Sequence, residues 1–146
     1  MAEINVRTVI DATPEQVWDV VRHVENHVDW MHDAVAIRFT SSSTSGEGTT
    51  FDCDTKVGPF RLTDKMEITT WVPARTMGVR HVGMVTGTGE FTLDSPAPGQ
   101  TTFSWREDLR FPWWMGGPIG ALVGGQLLKL IWKRNLHLLK SIVEAA

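Results

Sequence analysis

A chain of 146 residues is long enough for one domain with a single substantial core, and we expect residues 1–146 to form one domain. Its 14 basic and 17 acidic residues give a net charge of −3, and no basic stretch is interleaved with aromatic residues, so nucleic acid is not expected as a partner. The lone cysteine, Cys53, excludes an internal disulfide, and the chain lacks a secretory leader pattern, so we expect a cytoplasmic protein.

The first elements predicted along the chain are a strand and a helix that meet at one defined point. Apolar and polar residues alternate over positions 4–10, which is typical of a half-buried strand. Thr13 and Gln16 then form a predicted capping box, with Pro14 at the first helical position. A second short helical piece is predicted over residues 24–31.

Six further strands are predicted between residues 35 and 111. Each alternates apolar with polar residues and ends at a turn rich in Gly, Pro or Ser. Because the connections are short, the seven strands are predicted to form an antiparallel meander. Cys53 shares the apolar face of its strand, which predicts inert packing in the core.

The last element predicted is a long helix from Pro118 to about Glu144. No charged residue occurs over 111–128, but two prolines and five glycines interrupt this run, so a membrane span is not predicted. Beyond it, apolar residues recur at helical spacing and predict one broad apolar face. They are Leu128, Ile131, Trp132, Leu136, Leu139 and Val143.

These elements predict an α+β fold. A seven-stranded curved antiparallel sheet wraps around a long C-terminal helix, and two short helices lie between strands 1 and 2. A curved sheet that grips one helix leaves a space between them, where a small hydrophobic ligand is expected.

Four segments of the chain resemble the polyketide cyclase/dehydrase and lipid-transport family of the START-like (SRPBCC) superfamily. They are residues 10–18, 29–31, 87–93 and 99–107, and the similarity extends in order over essentially the whole chain. The resemblance implies a helix-grip fold with a hydrophobic cavity. Different members use this cavity to bind lipids, sterols, hormones or polyketides, and some direct aromatic ring closure.

Three titratable residues interrupt apolar rows of the predicted sheet, namely Asp64, His81 and Glu107. If these rows face the cavity, the three side chains are candidate catalytic acids or bases, because burial shifts a pKa toward the range useful for proton transfer. The alternative for either acid is a structural salt bridge to an arginine such as Arg80 or Arg61, or a bulge that turns it to solvent. The alternative for His81 is a satisfied core histidine.

Several histidines and aspartates crowd the second helical piece, including His23 and His27 one turn apart. The glutamate of a zinc-binding motif is absent, and a solvated helical face is the favoured interpretation, so no metal site is predicted. The sequence also lacks a glycine-rich phosphate loop and a dinucleotide fingerprint, so no cofactor is predicted.

The predicted ligand-binding wall combines strand and helix residues. They are Phe51, Met66, Met77, Val79, Phe103, Trp105, Leu128, Ile131 and Trp132, with Trp113 and Trp114 from the connecting loop. That loop, residues 111–118, is unusually apolar and is interpreted as a lid or portal that contacts a membrane transiently. The alternatives are a cap on the core or a homodimer contact, so monomer and homodimer both stay open.

The leading functional hypothesis is a carrier or sensor of one small hydrophobic molecule, lipid or polyketide-like. A polyketide cyclase or dehydratase that uses Glu107 or His81 as acid/base is the first alternative. The second is a protein that binds a partner or a membrane through Trp113 and Trp114.

Overall fold

A computed structural model describes residues 2–146, apart from the side chains of residues 117–119 and 121. Seven strands and two α-helices make up most of the chain, with one short 3-10 helix between the first α-helix and the second strand and another between the last strand and the second α-helix. The strands are β1 Ala2–Ile10, β2 Ala34–Phe39, β3 Thr50–Val57, β4 Phe60–Val72, β5 Thr76–Val82, β6 Thr86–Asp94 and β7 Thr101–Arg110. The α-helices are α1 Pro14–Val21 and α2 Gly117–Ala145, and the 3-10 helices are Val24–Asp29 and Trp113–Met115.

The strands form one antiparallel sheet in the order β1-β7-β6-β5-β4-β3-β2. From β2 to β7 each strand pairs with the next along the chain, whereas β1 pairs with β7. The predicted meander of all seven strands therefore holds only for β2 to β7, because the two short helices after β1 carry the chain to the far edge of the sheet before β2 begins. Register shifts in β2 and β4 increase the local twist, which helps the sheet to curve. The predicted α+β helix-grip fold, including two short helices between β1 and β2, is confirmed.

The corner between β1 and α1 is fixed by the capping box predicted from the sequence. The Thr13 side chain accepts a hydrogen bond from the Gln16 amide at 3.2 Å, and the Gln16 side chain accepts one from the Thr13 amide at 2.9 Å. Pro14 occupies the first helical position, where its missing N–H costs nothing.

Helix α2 buries only part of its apolar surface. Trp132, Leu136 and Leu139 are buried in the core against the sheet. The first half of the helix also exposes large apolar side chains, namely Leu122, Val123, Leu127 and Leu130. Within residues 2–146, none of the helices has the length and apolar character needed to cross a membrane.

An aromatic cluster fills the part of the core next to the end of the 3-10 helix Val24–Asp29. Trp30 is buried and makes edge contacts with Phe103 and Trp105 and a tilted contact with Phe91, at ring-centroid distances from 5.8 to 6.3 Å. Such edge-to-face packing is the preferred arrangement of aromatic rings. This cluster packs one part of the sheet solidly, so free space remains elsewhere between the sheet and α2.

Candidate functional site

A cavity of about 380 Å³ lies between the inner face of the sheet and α2. Its wall is mostly apolar, and side chains from β3 to β7 face the first half of α2 across it. This size and lining are typical of small-molecule sites in proteins. The wall includes Ile37, Phe51, Cys53, Leu62, Met66, Met77, Val79, Trp105, Phe111, Met115, Leu127, Leu128 and Trp132.

Three titratable side chains meet inside this wall. His81 lies between two acids, with Nδ1 at 2.9 Å from Asp64 Oδ2 and Nε2 at 2.8 Å from Glu107 Oε1. Because both ring nitrogens face carboxylate oxygens, each nitrogen donates a hydrogen bond and the ring is an imidazolium. We call Asp64, His81 and Glu107 the acid–histidine cluster.

Two glycines of β6 allow this cluster to form. Gly87 lies opposite His81 on β5, and Gly89 lies opposite Glu107 on β7. A Cβ atom at Gly89 would lie only 2.3 Å from Glu107 Oε1. The strand between His81 and Glu107 therefore carries no side chains at these positions, and the two residues meet above it.

The cluster shifts the pKa values of two of its members. Burial alone lowers the pKa of His81, but the hydrogen bonds to Asp64 and Glu107 outweigh it and raise this pKa to about 10. Burial also raises the pKa of Glu107, although its hydrogen bond to His81 opposes that shift. His81 therefore keeps a proton at neutral pH that an ordinary imidazole largely releases, so it can serve as a proton donor.

A second polar network joins the start of β2 to α2. The buried Asp33 carboxylate accepts hydrogen bonds from Trp132 Nε1 at 3.0 Å and from Asn135 Nδ2 at 2.9 Å. Asn135 in turn accepts a hydrogen bond from the His32 amide at 2.9 Å. The Trp132 ring stacks on Trp105 with centroids 4.3 Å apart. This network fixes the orientation of an indole that lines the cavity.

His27 is a second imidazole on the cavity wall, and its protonation is opposite to that of His81. Burial lowers the pKa of His27 to about 4, which outweighs its hydrogen bond to the Val21 carbonyl. The neutral ring donates from Nε2 to that carbonyl at 2.7 Å. Its other nitrogen, Nδ1, is consequently a hydrogen-bond acceptor.

Most of the residues expected in the wall do line the cavity, and four do not. Phe103 is fully buried within the aromatic cluster, and Ile131 packs against the core beside the face of α2 that carries Leu128 and Trp132. Trp113 and Trp114 are 84% and 56% exposed, because the chain turns outward after Phe111 and presents both indoles to solvent.

Two alternatives considered from the sequence do not match the structure. Glu107 pairs with His81 rather than with an arginine, since Arg80 lies on the outer face and pairs with Glu67 at 2.7 Å. The helical piece before β2 is not a fully solvated face, because His27 and Asp33 are buried. Among the described residues, His, Cys, Asp and Glu side chains form no group of three suited to a metal ion.

The fold and its cavity define the class of protein. A seven-stranded antiparallel sheet closed by one long C-terminal helix, with a mostly apolar space between them, is a helix-grip domain of the START-like type. A sequence profile of the family described as polyketide cyclase/dehydrase and lipid transport matches residues 1–144. The chain belongs to this family.

Solved structures with similar folds support the same assignment. A protein from Thermus thermophilus superposes with a TM-score of 0.77 at 17% identity, covering 98% of this chain and 97% of that one. An aromatase/cyclase from a Streptomyces species gives 0.78 at 14% identity, covering 97% and 93%. A START superfamily protein from Mycobacterium smegmatis gives 0.75 at 10% identity, covering 99% of both. At these identities the likeness concerns the fold alone, and no curated protein sequence matches this chain.

Proposed function

We propose that this protein binds one small hydrophobic molecule, lipid or polyketide-like, in the cavity between the sheet and α2, as a carrier or sensor. The observation that carries the proposal is the combination of an apolar wall with one buried polar cluster. Apolar walls supply affinity by removing ligand surface from water, and a few polar groups orient the ligand. In this proposal the acid–histidine cluster supplies those polar contacts.

A cavity-filling variant tests this proposal with the neutral dye Nile red as the probe. Val79 lines the cavity, whereas Val82 lies on the same strand and is exposed. We expect saturable dye fluorescence with the wild type, a large loss in Val79→Trp and little change in Val82→Trp. Leu128→Trp fills the cavity from the opposite side, and circular dichroism checks that each variant is folded. Absence of dye binding by the wild type, or full binding by both filled variants, would contradict the proposal.

The acid–histidine cluster favours a second candidate function, the cyclisation or dehydration of a poly-β-ketone. Such reactions need a base that removes a proton next to a carbonyl and an acid that protonates an oxygen. Glu107 and His81 lie 2.8 Å apart inside the cavity, within reach of one bound substrate. Glu107 would act as the base and the His81 imidazolium as the acid.

A linear poly-β-ketone thioester tests this alternative, with products followed by mass spectrometry. We expect Glu107→Gln to abolish turnover and to leave Nile red binding unchanged. Glu67→Gln makes the same chemical change on the outer face and is expected to have no effect. Turnover at the full rate in Glu107→Gln, or no turnover by the wild type, would contradict this catalytic function.

A further inference from the structure

Carboxyl and imidazole groups dominate the polar lining of the cavity, which also includes Thr55, Trp105 and Trp132. Three carboxyl groups line it, those of Asp33, Asp64 and Glu107, together with the neutral imidazole of His27. Glu90 also borders the cavity, but its side chain belongs to the exposed row of β6. Among the described lining residues there is no lysine or arginine. His81 is the single cation of this wall, and two acids flank it.

The donors of His81 and Trp132 are already engaged within the protein. Both ring N–H groups of His81 point at Asp64 and Glu107, at 2.9 and 2.8 Å. The Trp132 and Asn135 donors both bind Asp33. In contrast, His27 Nδ1 is an acceptor because Nε2 donates to Val21. The second oxygen of Glu107 has no hydrogen-bond partner among the described residues.

From this inventory we infer that the cavity takes an amphiphile whose head group is an alcohol or an amine, and that it rejects a carboxylate head. A hydroxyl or ammonium group donates hydrogen bonds to the acceptors that the cavity offers. A carboxylate would meet no uncompensated positive charge, and a buried unpaired charge is strongly unfavourable. This inference rests on the proposed ligand-binding function and specifies the chemical class of the ligand.

A matched set of three ligands tests the inference, namely dodecanol, dodecylamine and dodecanoate, each titrated against bound Nile red at pH 7 below its aggregation concentration. We expect dodecanol or dodecylamine to bind at least about tenfold more tightly than dodecanoate, a difference of ~1.4 kcal/mol. Glu107→Gln is expected to narrow this difference because it removes an acidic group, and Glu67→Gln, with the same change on the outer face, is expected to preserve it.

The outcomes separate the inference from the function on which it rests. Dodecanoate binding as tightly as dodecanol and dodecylamine would overturn the inference and leave ligand binding intact. An unchanged preference in Glu107→Gln, shown to be folded by circular dichroism, would also count against it. No binding of Nile red or of any of the three ligands would overturn both.

The β3–β4 turn, the β5–β6 turn and the end of β7 lie at the same end of the sheet. Large apolar side chains are exposed around this end, and Phe60, Val123 and Leu127 also line the cavity. We call this exposed group the apolar rim. It comprises Phe60, Val82, Met84, Trp113, Trp114, Leu122, Val123, Leu127 and Leu130.

The charges beside the apolar rim are all positive. None of the 17 acidic residues of the chain falls in segments 55–63, 82–86 or 109–134, which form this end of the sheet, the connecting loop and the first part of α2. The same segments contain six of the 14 basic residues. On α2, Lys129 and Lys133 lie within one turn of the exposed Leu130. A chain with a net charge of −3 thus presents a basic, apolar end.

We propose that the apolar rim docks on an anionic lipid bilayer, which places the cavity against the membrane. Exposed tryptophans favour the membrane–water interface, and each nearby Lys or Arg is attracted to anionic lipids. The charge complementarity favours a bilayer over a second copy of this chain, since two basic surfaces repel each other.

Flotation with vesicles tests this second proposal. We expect the wild type to float with vesicles of phosphatidylcholine containing phosphatidylserine, to float less with phosphatidylcholine alone, and to be released by high salt. The double variant Trp113→Ser and Trp114→Ser is expected to lose flotation. The control is the double variant Val9→Ser and Val72→Ser, which removes exposed valines at the opposite end of the sheet. This variant is expected to float like the wild type. No flotation by the wild type, equal flotation of the tryptophan variant, or a dimer that only this variant disrupts would overturn the proposal.

Discussion

Gly89 lies directly opposite Glu107 across β6 and β7, and the Glu107 carboxyl occupies the space that a side chain at position 89 would fill. The absence of a single Cβ atom thus allows a buried acid to reach His81 on a strand that is not its neighbour in the sheet. The acid–histidine cluster depends on this glycine as much as on its three titratable members.

Gly89→Ala is therefore expected to displace Glu107 from His81. The added methyl group would lie 2.3 Å from Oε1, and overpacking of this kind costs ~1–3 kcal/mol. Chemical denaturation measures the loss of stability, and NMR titration measures a fall in the pKa of His81. Gly124→Ala is the matched control, since a Cβ atom there meets nothing within 4 Å and alanine favours a helix. Equal stability of the two variants would contradict the assigned contact.

The pKa of His81 predicts a loss of stability at high pH. This pKa is about 10 in the folded chain and 6.5 in the reference state, so folding favours the proton. The stabilisation is fully present below pH 6.5 and is lost as the pH rises through about 10, by up to ~1.4 kcal/mol per pH unit. Urea unfolding across this window checks the slope, with His81→Gln as reference. A wild type and a His81→Gln variant that lose stability in parallel would show that His81 holds no extra proton.

His27 predicts the opposite dependence in acid. Its pKa falls from 6.5 to about 4 in the folded chain, so the unfolded chain binds the proton more readily between these values. The free energy of unfolding of the wild type should decline as the pH falls from 6.5 to about 4, and that of His27→Gln should decline less. His137→Gln, at an exposed position of α2, is the control and should follow the wild type. If all three proteins decline alike, His27 is not buried in its neutral form.

The Asn135 side chain is predicted to stabilise the contact between the start of β2 and α2. Asn135→Ala leaves the His32 amide and one oxygen of the buried Asp33 without their hydrogen bonds, which costs ~1–3 kcal/mol. Denaturation in urea measures this loss. The exposed Asn26→Ala should change stability by less than ~0.5 kcal/mol, and a similar small effect at Asn135 would exclude a structural role for the network.

Most of the fold could be predicted from local sequence patterns. Alternation identified the strands, the Thr13–Gln16 capping box fixed the first helix start, and the observed start of α2 at Gly117 lies one residue from the predicted one. The piece before β2 proved to be a 3-10 helix, Val24–Asp29, since six residues are too few to establish helical periodicity. The short connections sufficed to predict the pairing of β2 through β7, but not that of β1, which pairs with β7 rather than with β2.

The candidate site was only partly predictable. Alternation placed Asp64, His81 and Glu107 on inward rows, but it could not show that they meet, because their separation depends on register across four strands. The signal that was present is the pair Gly87 and Gly89, which leaves an inward gap in β6. Burial of Asp33 was unpredictable locally, since its partners lie on α2 about one hundred residues later.

The central claim is that the cavity holds one hydrophobic molecule, and native mass spectrometry of freshly purified protein tests it most directly. We predict a wild-type mass above that of the bare chain by one lipid-sized or polyketide-sized molecule. This excess should disappear in Val79→Trp and persist in Val82→Trp. Bare chain alone, from protein that also fails to bind Nile red, or an excess equally present in Val79→Trp, would contradict the claim.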